Sequence, residues 1–303
     1  MRSATLRQLE YFVAACETGT VSEAAVRCSA SQASVSAALN ELERGLGVQL
    51  LFRIPAKGVA LTRVGEQALP IAKRILRDSE QLSALAWEEE HDVAGPLRVA
   101  ATFALSPRVL PAIAEGFANR YPRVDLHLFD GLASEVQQQL ADRLVDCALL
   151  YRRQLEQDFS VTSIRSVQPF AVLSEHHPLA GSPEISLSQL SQERLILVDP
   201  RGSSDVIQRL LKSAGVVPRI GASFENPETV RAMVARGLGY SVFSGRRKGT
   251  DSFDGRGIVF VPIADSVVPN EVVLARSAGT VPNARLAALE AFLLEPDVMS
   301  EFG

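Results

Sequence analysis

The chain has 303 residues, 47 % of them hydrophobic and 22 % charged, with a formal net charge of -4. That composition excludes disorder as the main state and leaves room for two or three compact units. No apolar run reaches the length that spans a bilayer. Arg2, Arg7, Glu10 and Glu17 break up the opening segment where a signal peptide needs an apolar core, so a cytoplasmic protein with no membrane partner is expected.

Charge is uneven. Residues 1–77 carry ten Lys/Arg against six Asp/Glu, a balance of +4 that leaves -8 for the rest. Cys16, Cys28 and Cys147 lie far apart and form no CxxC pair, and His176 and His177 precede Pro178 in a turn-like stretch. Neither a disulfide framework nor a metal site is indicated, and no cofactor is expected.

In "LRQLEYFVAACETGT", Leu6, Leu9, Phe12, Val13 and Cys16 recur at spacings of three and four, which predicts an amphipathic helix ended by Gly19. Thr20 then caps a short second helix, with Glu23 in the capping-box position and Ala24 and Ala25 inside. Ser31 is the next cap. From it Val35, Leu39, Leu42 and Leu46 form one apolar face, and Ser34, Ser36 and Asn40 fall outside it. The small Ala24 and Ala25 let two helices approach closely across the turn near Ser29, as a helix-turn-helix requires.

"VQLLFRIPAKGVALT" reads as a hairpin, Val48–Ile54 and Val59–Leu61 about a turn at 55–58, with Arg53 and Lys57 at its basic tip. Thr62 opens a long helix to about Glu90, whose seam of Leu69, Ile75, Leu76, Leu82 and Leu85 outruns what a small head can cover. Pro70 inside it predicts a bend or a tightly held early turn. Beyond "DVAGP" the texture becomes strands alternating with helices. It runs "LRVAA", a helix from Leu105 to Tyr121, "VDLHLF", a helix from Ala133 to Leu144, and "CALLY". A second block adds "FAVLS", "RLILVD", a helix from Ser203 to Ala214, "IGASF", a helix from Glu228 to Arg236 and "YSVFS"; "EVVLARS" and a helix from Asn283 to Leu294 follow. This predicts parallel α/β structure in two lobes joined by crossing strands near 163–167 and 263–268, with a cleft between them.

A major groove admits one helix, and small polar side chains on its first turns let the backbone approach while their polar groups address base edges. Gln32 suits adenine or a phosphate. Ser31, Ser34 and Ser36 offer hydroxyls, Ala33 and Ala37 suit a thymine methyl, Arg53 and Lys57 suit the flanking phosphates, and Ser22 would fix register. The same serines serve equally as a soluble helix face.

Residues 6–66 strongly resemble the winged helix-turn-helix of LysR-type transcriptional regulators. The run carries Ala24-Ala25, Ser31-Gln32, Ser36, Leu42-Glu43, Leu46-Gly47, Leu51-Phe52 with Arg53, Leu61-Thr62 and Gly65 in the family's order. It departs by shortening Leu-Phe-x-Arg to Leu51-Phe52-Arg53, and by placing Ala33 and Ala37 where proline and arginine are frequent, so operator preference does not transfer. "GPLRVAATFALSPRVLPAIAEGFANRYPRVDLHLFDG" and "GASFENPETVRAMVARGLGYSVF" resemble the two lobes of the family's effector domain.

The resemblance implies a mixed fold of three parts: a winged helix-turn-helix head at 1–62, a linker or dimerisation helix at 63–91 and a periplasmic-binding-protein-like effector domain at 92–303. Within the last, lobe 1 would span about 95–163 and 268–303, and lobe 2 about 164–267. It implies a regulator that binds an interrupted inverted repeat in double-stranded DNA as a dimer or tetramer, is modulated by a small molecule in the cleft, and has RNA polymerase as a candidate partner. Four strand-to-helix loops would hold the effector: Thr102, Phe103 and Ala104; Gly131 and Leu132; Arg201, Gly202, Ser203 and Ser204; and Asn226, Pro227 and Glu228. Arg201 suits a carboxylate. Helix capping uses the same groups. Peroxide sensing is not expected, because that branch of the family uses a cysteine pair in the effector domain and Cys147 stands alone there.

Two other classes fit parts of the chain. For an enzyme, "GYSVF" gives only half of a nucleophile elbow and "GLGYS" lacks the third glycine of a dinucleotide fingerprint. A transport-type binding protein would fit the body and leave the head without a use.

Overall fold

A computed structural model describes residues 4–54, 58–88, 93–198, 207–208, 211–212, 215–245, 249–266, 268–279 and 282–300. The chain divides into two compact units, Met1–Asp92 with Ala141–Leu144, and Val93–Leu140 with Val145–Gly303.

In the first unit, α1 (Leu6–Thr18) starts at a capping box, in which Thr5 accepts from the Gln8 N–H and the Gln8 side chain answers to the Thr5 N–H. It stops at Gly19, whose φ of 75° only glycine adopts without strain. Thr20 caps α2 (Val21–Arg27) by accepting from the Glu23 N–H at 3.1 Å. Ser31 caps α3 (Gln32–Leu46), which ends at Gly47. Val35, Leu39 and Leu42 of α3 are buried with Leu9, Phe12 and Ala15 of α1, and Ala24, 0 % exposed, sits where α2 meets them.

The hairpin strands are β1 (Leu51–Ile54) and β2 (Gly58–Leu61), antiparallel with Leu51 opposite Leu61. The first starts later than the sequence suggests, because the Glu43 carboxylate accepts the N–H groups of Leu50 (2.7 Å) and Leu51 (2.9 Å) and holds the preceding residues in a loop. At the return, the Val59 N–H donates to Gly19 O at 2.8 Å. A Cβ on Gly58 would lie 2.1 Å from the same oxygen, so the contact requires glycine.

Helix α4 (Arg63–Glu88) continues through Pro70. The expected single seam separates into two. Leu69, Ala72 and Leu76 pack into the core of this unit, whereas Ile71 (49 %), Ile75 (40 %) and Leu82 (71 %) form an adjacent exposed stripe. The Leu85 side chain lies outside the described ones.

The second unit has two lobes. The first contains a five-stranded sheet in the order β4-β3-β5-β12-β6, with β3 at Gly95–Thr102, β4 at Val124–Gly131, β5 at Cys147–Tyr151, β6 at Phe159–Val167 and β12 at Asn270–Ser277. Expected to be parallel, the sheet is mixed. Strand β3 runs parallel to β4 and β5, but β12 is antiparallel to both β5 and β6. The reason is topological: the chain leaves the lobe on β6 and returns beside it on β12, in the opposite direction.

Helices α5 (Ser106–Ala112), α6 (Ala133–Ala141) and α8 (Ala284–Leu293) cover this sheet. The helix expected over Leu105–Tyr121 is interrupted by a π turn at Ile113–Phe117, just after Pro111 removes an amide donor. Helix α6 stops at Ala141, three residues short of the expected end, and Arg143 follows with φ 53°.

The other lobe holds β7 (Pro169–Ser174), β8 (Arg194–Val198), β9 (Arg219–Phe224), β10 (Ser241–Ser244) and β11 (Ile258–Pro262). Strand β7 pairs antiparallel with β10 and β11, and β8 pairs parallel with β9. A Leu195–Tyr240 bridge joins the two groups. Helix α7 (Pro227–Ala235) packs Val230 and Val234 against Val172 and Ile196. Most of the helix expected over Ser203–Ala214 lies outside the described residues, of which 207–208 and 211–212 are helical. The chain crosses between lobes at Gln168 and again between Pro262 and Asn270.

Glu17 sits between α2 and α4, paired with Arg27 at 2.6 Å and Lys73 at 2.7 Å. Burial opposes its charge, but the two cations prevail and hold the carboxyl below its ordinary value of 4.5. A lowered folded-state value means that this stabilisation is complete above pH 4.5 and is lost as pH falls through the lowered value. Glu17→Gln is therefore expected to cost at most about 1 kcal/mol at neutral pH and to flatten the acid limb of the stability curve. Urea titrations of both proteins from neutral to acid pH measure this.

Candidate nucleic-acid interface and ligand cleft

Burying Val35, Leu39 and Leu42 turns the opposite side of α3 outward. Gln32, Ala33, Ser34 and Ala37 are exposed and Ser36 is half-buried. The Ser31 hydroxyl caps the helix, accepting from the Ser34 N–H at 3.1 Å, and its oxygen lies 2.8 Å from the Ser34 hydroxyl. These two serines thus have a structural task besides any contact with a partner. Ser22 is exposed at the start of α2.

Arg53 extends from β1 to donate to the Asn40 side-chain oxygen at 2.5 Å. That bond ties the hairpin to the outward face of α3 and adds Asn40 to the surface, a residue that the sequence places off the apolar stripe without assigning it a role. Lys57 lies outside the described residues.

In the second unit, the cleft between the lobes holds about 830 Å³ of empty space, partly open to solvent. Thr102, Phe103 and Ala104 line it from the end of β3, Gly131 and Leu132 from the end of β4, and Pro227 from the start of α7. Asn226 and Glu228 line an adjoining compartment, which shares Phe103, Ala104, Glu225 and Pro227 with the first. Arg201, Gly202, Ser203 and Ser204 lie outside the described residues.

The structure adds walls that sequence spacing does not reveal: Tyr151 at the end of β5 and Arg153 after it, Pro169 at the start of β7, and Val242, Phe243 and Ser244 of β10. These residues are remote in sequence and meet only because the strands that carry them end at the same crevice. The position of Tyr151 at the carboxyl end of a central strand was the available signal.

Several polar groups here are already engaged within the protein. The Tyr151 hydroxyl donates to Ser244 O at 2.8 Å, and the Asn270 amide donates to the Ser244 hydroxyl at 3.1 Å. Arg153 donates to Val268 O and, at 3.1 Å, to Pro269 O, gripping the returning crossover. Burial pushes the Tyr151 phenol up, against the opposing effect of Arg108 and Arg231. Thr102 differs: it is 2 % exposed, and its hydroxyl oxygen has no hydrogen-bond partner among the described residues.

Residues 6–66 match a family model described as a bacterial regulatory helix-turn-helix protein of the lysR family, and residues 90–296 match one described as a LysR substrate binding domain. The crystal structure of HinK, a LysR family transcriptional regulator from Pseudomonas aeruginosa, is similar at 30 % identity and a TM-score of 0.64, covering 98 % of this chain and 99 % of that one. The hydrogen peroxide-inducible genes activator of Haemophilus influenzae is 28 % identical over 235 residues, 77 % of this chain and 78 % of that protein. The full-length CbnR structure complexed with its target DNA shares the fold at 24 % identity and a TM-score of 0.69, over 94 % of this chain and 98 % of that one.

An unpartnered buried hydroxyl costs stability that an isosteric methyl does not. Thr102→Val is expected to raise the stability of the ligand-free protein by about 1 kcal/mol, read from chemical denaturation.

Proposed function

The chain belongs to the LysR family of transcriptional regulators, and from that premise we propose that α3 reads an interrupted inverted repeat while a small molecule in the interlobe cleft alters DNA binding or bending. The observation that carries this is the outward face of α3, where Gln32, Ala33, Ser34 and Ala37 stand exposed above a fully buried apolar stripe. Gln32 addresses a base edge, Ser22, Ser31, Ser34 and Ser36 supply hydroxyls, Ala33 and Ala37 touch thymine methyls, and Arg53 and Lys57 hold phosphates. Asn40 orients Arg53 for that task.

The exposed stripe of Ile71, Ile75 and Leu82 supports pairing of two copies through α4, which would present two recognition helices to two half-sites. The assembly works in the cytoplasm as a dimer or tetramer, and RNA polymerase is a further partner in our reading. It is a regulator and not an enzyme. The effector residues are the cleft-lining Thr102, Phe103, Ala104, Gly131, Leu132 and Pro227, with Asn226 and Glu228 beside them, and Arg201, Gly202, Ser203 and Ser204, which lie outside the described residues. Sensing by ligand, rather than by thiol oxidation, is supported by Cys147. It is fully buried, and burial raises its thiol well above the ordinary value, which keeps it protonated at neutral pH.

An operator selected from a random DNA pool by the full-length protein tests this. Affinity for that operator is expected to fall steeply as salt is added, because counterions are released from the phosphates; a flat response counts against groove binding. Gln32→Ala is expected to weaken operator binding by about 1–3 kcal/mol and leave random DNA unaffected, whereas Arg53→Ala is expected to weaken both and reduce the salt slope by about 1. Filter binding at several salt concentrations separates the two roles.

A further inference from the structure

Resting on the reading of α3 as the helix that enters the groove, we propose that Asn40 is a further base-reading residue of this chain and that Arg53 restricts it to one base, guanine. The midline of the outward face begins with side chains that cannot hydrogen-bond. With about 3.6 residues to a turn, Ala33, Ala37, Asn40 and Arg44 fall within an arc of about 60°, on the side of α3 away from the buried Val35, Leu39 and Leu42. All four are exposed. The two alanine methyl groups let the helix come close to a duplex along that arc, and Asn40 is the first residue on it with polar side-chain atoms.

The amide of Asn40 has a fixed sense. Its oxygen accepts from Nη2 of Arg53 at 2.5 Å. A guanidinium carries donors and no acceptor, so the carbonyl end of the amide must face it, and the NH2 end is left for another partner. Among the described residues that NH2 group makes no hydrogen bond. A bond from a charged donor is stronger than a neutral one, which holds the pair in this sense when DNA arrives.

An unrestrained asparagine pairs with adenine through both ends of its amide, accepting from N6–H2 and donating to N7. Here the accepting end already holds Arg53. The guanidinium also brings further donors and a positive charge to the place where adenine would present its own donor. Cytosine offers only a donor, N4–H2, and is disfavoured for the same reason. Guanine offers two acceptors, O6 and N7, to the amide NH2, whereas thymine offers O4 alone. The pair thus turns an adenine reader into a guanine reader. The other N–H groups of Arg53 stay available for the flanking phosphate, because Asn40 takes only one of them.

The test selects operators from a random DNA pool with full-length wild-type protein, Asn40→Ala and Arg53→Ala, and compares base preference position by position. In each half-site the wild type is expected to favour guanine at least about fivefold at one position, which Asn40→Ala makes indifferent while preferences elsewhere remain. Arg53→Ala, although weaker on all DNA, is expected to move that same position toward adenine. A merely structural role lowers affinity for all sequences alike and shifts no single position. Both side chains are exposed, so neither substitution opens the core, and circular dichroism checks the fold.

The proposal is overturned if Asn40→Ala weakens every sequence equally, if the position it affects favours a base other than guanine in the wild type, or if Arg53→Ala does not move that position toward adenine. Gln32→Ala, measured alongside, separates this from the underlying reading. If Gln32→Ala alters base preference and Asn40→Ala does not, α3 still reads the groove and only the assignment of Asn40 fails. If neither variant alters any preference, α3 is not the reading helix and both fail.

Discussion

The winged unit depends on the burial of one stripe of α3. Val35, Leu39 and Leu42 lie within a few per cent of complete burial, and with a repeat of 3.6 residues this leaves Gln32, Ala33 and Ala37 no choice but to face outward. The same burial places Glu43 one residue beyond Leu42, where its single carboxylate oxygen receives the amides of Leu50 and Leu51. A charge-assisted pair of this kind is stronger than a neutral one, and it sets where β1 begins. Arg53, three residues into the strand, then meets Asn40 one turn back on the helix. The outward face of α3 and the placement of the hairpin are thus two consequences of one packing decision.

The cleft depends on a different constraint. A chain that leaves one lobe on β6 and returns on β12 must place those strands side by side and antiparallel, which makes the sheet mixed and brings both crossovers to one edge. Tyr151 of β5 bonds to the last residue of β10, and Arg153, two residues on, holds the returning crossover at Val268 and Pro269. Residues that line the cavity thus also tie one lobe to the other and to the returning crossover.

What was legible in the sequence follows from the range of the interactions involved. The caps at Thr20 and Ser31, the stripe on α3 and the glycine stop at 19 are local, and each shows within a few residues. The strand-end loops at Thr102, Gly131 and Asn226 were legible for the same reason, since a strand followed by a helix start has a recognisable texture. Tyr151, Phe243 and Ser244 were not. Their neighbourhood is made by strand order, and nothing in "CALLY" or "YSVFS" states which strand lies opposite. The direction of β12 was hidden likewise, because apolar alternation looks the same in parallel and antiparallel strands.

Helix α4 ends the chain of dependence, because one helix is asked to satisfy two apolar stripes. Leu69, Ala72 and Leu76 are met by the core of their own unit, and the adjoining Ile71, Ile75 and Leu82 are not. Leaving a stripe of that size in water costs roughly 25 cal/mol for every Å² of apolar area, a cost that a second copy of the helix removes on both sides at once. Pairing also changes the arithmetic of DNA binding, since the second head then engages at the high local concentration set by its link to the first. A modest excess of +4 over residues 1–77, too small to argue for tight binding alone, would be doubled by two copies on one duplex. In the proposed dimer the apolar stripe and the basic head would therefore form one device, in which hydrophobic pairing supplies the affinity that the charge of a single copy does not.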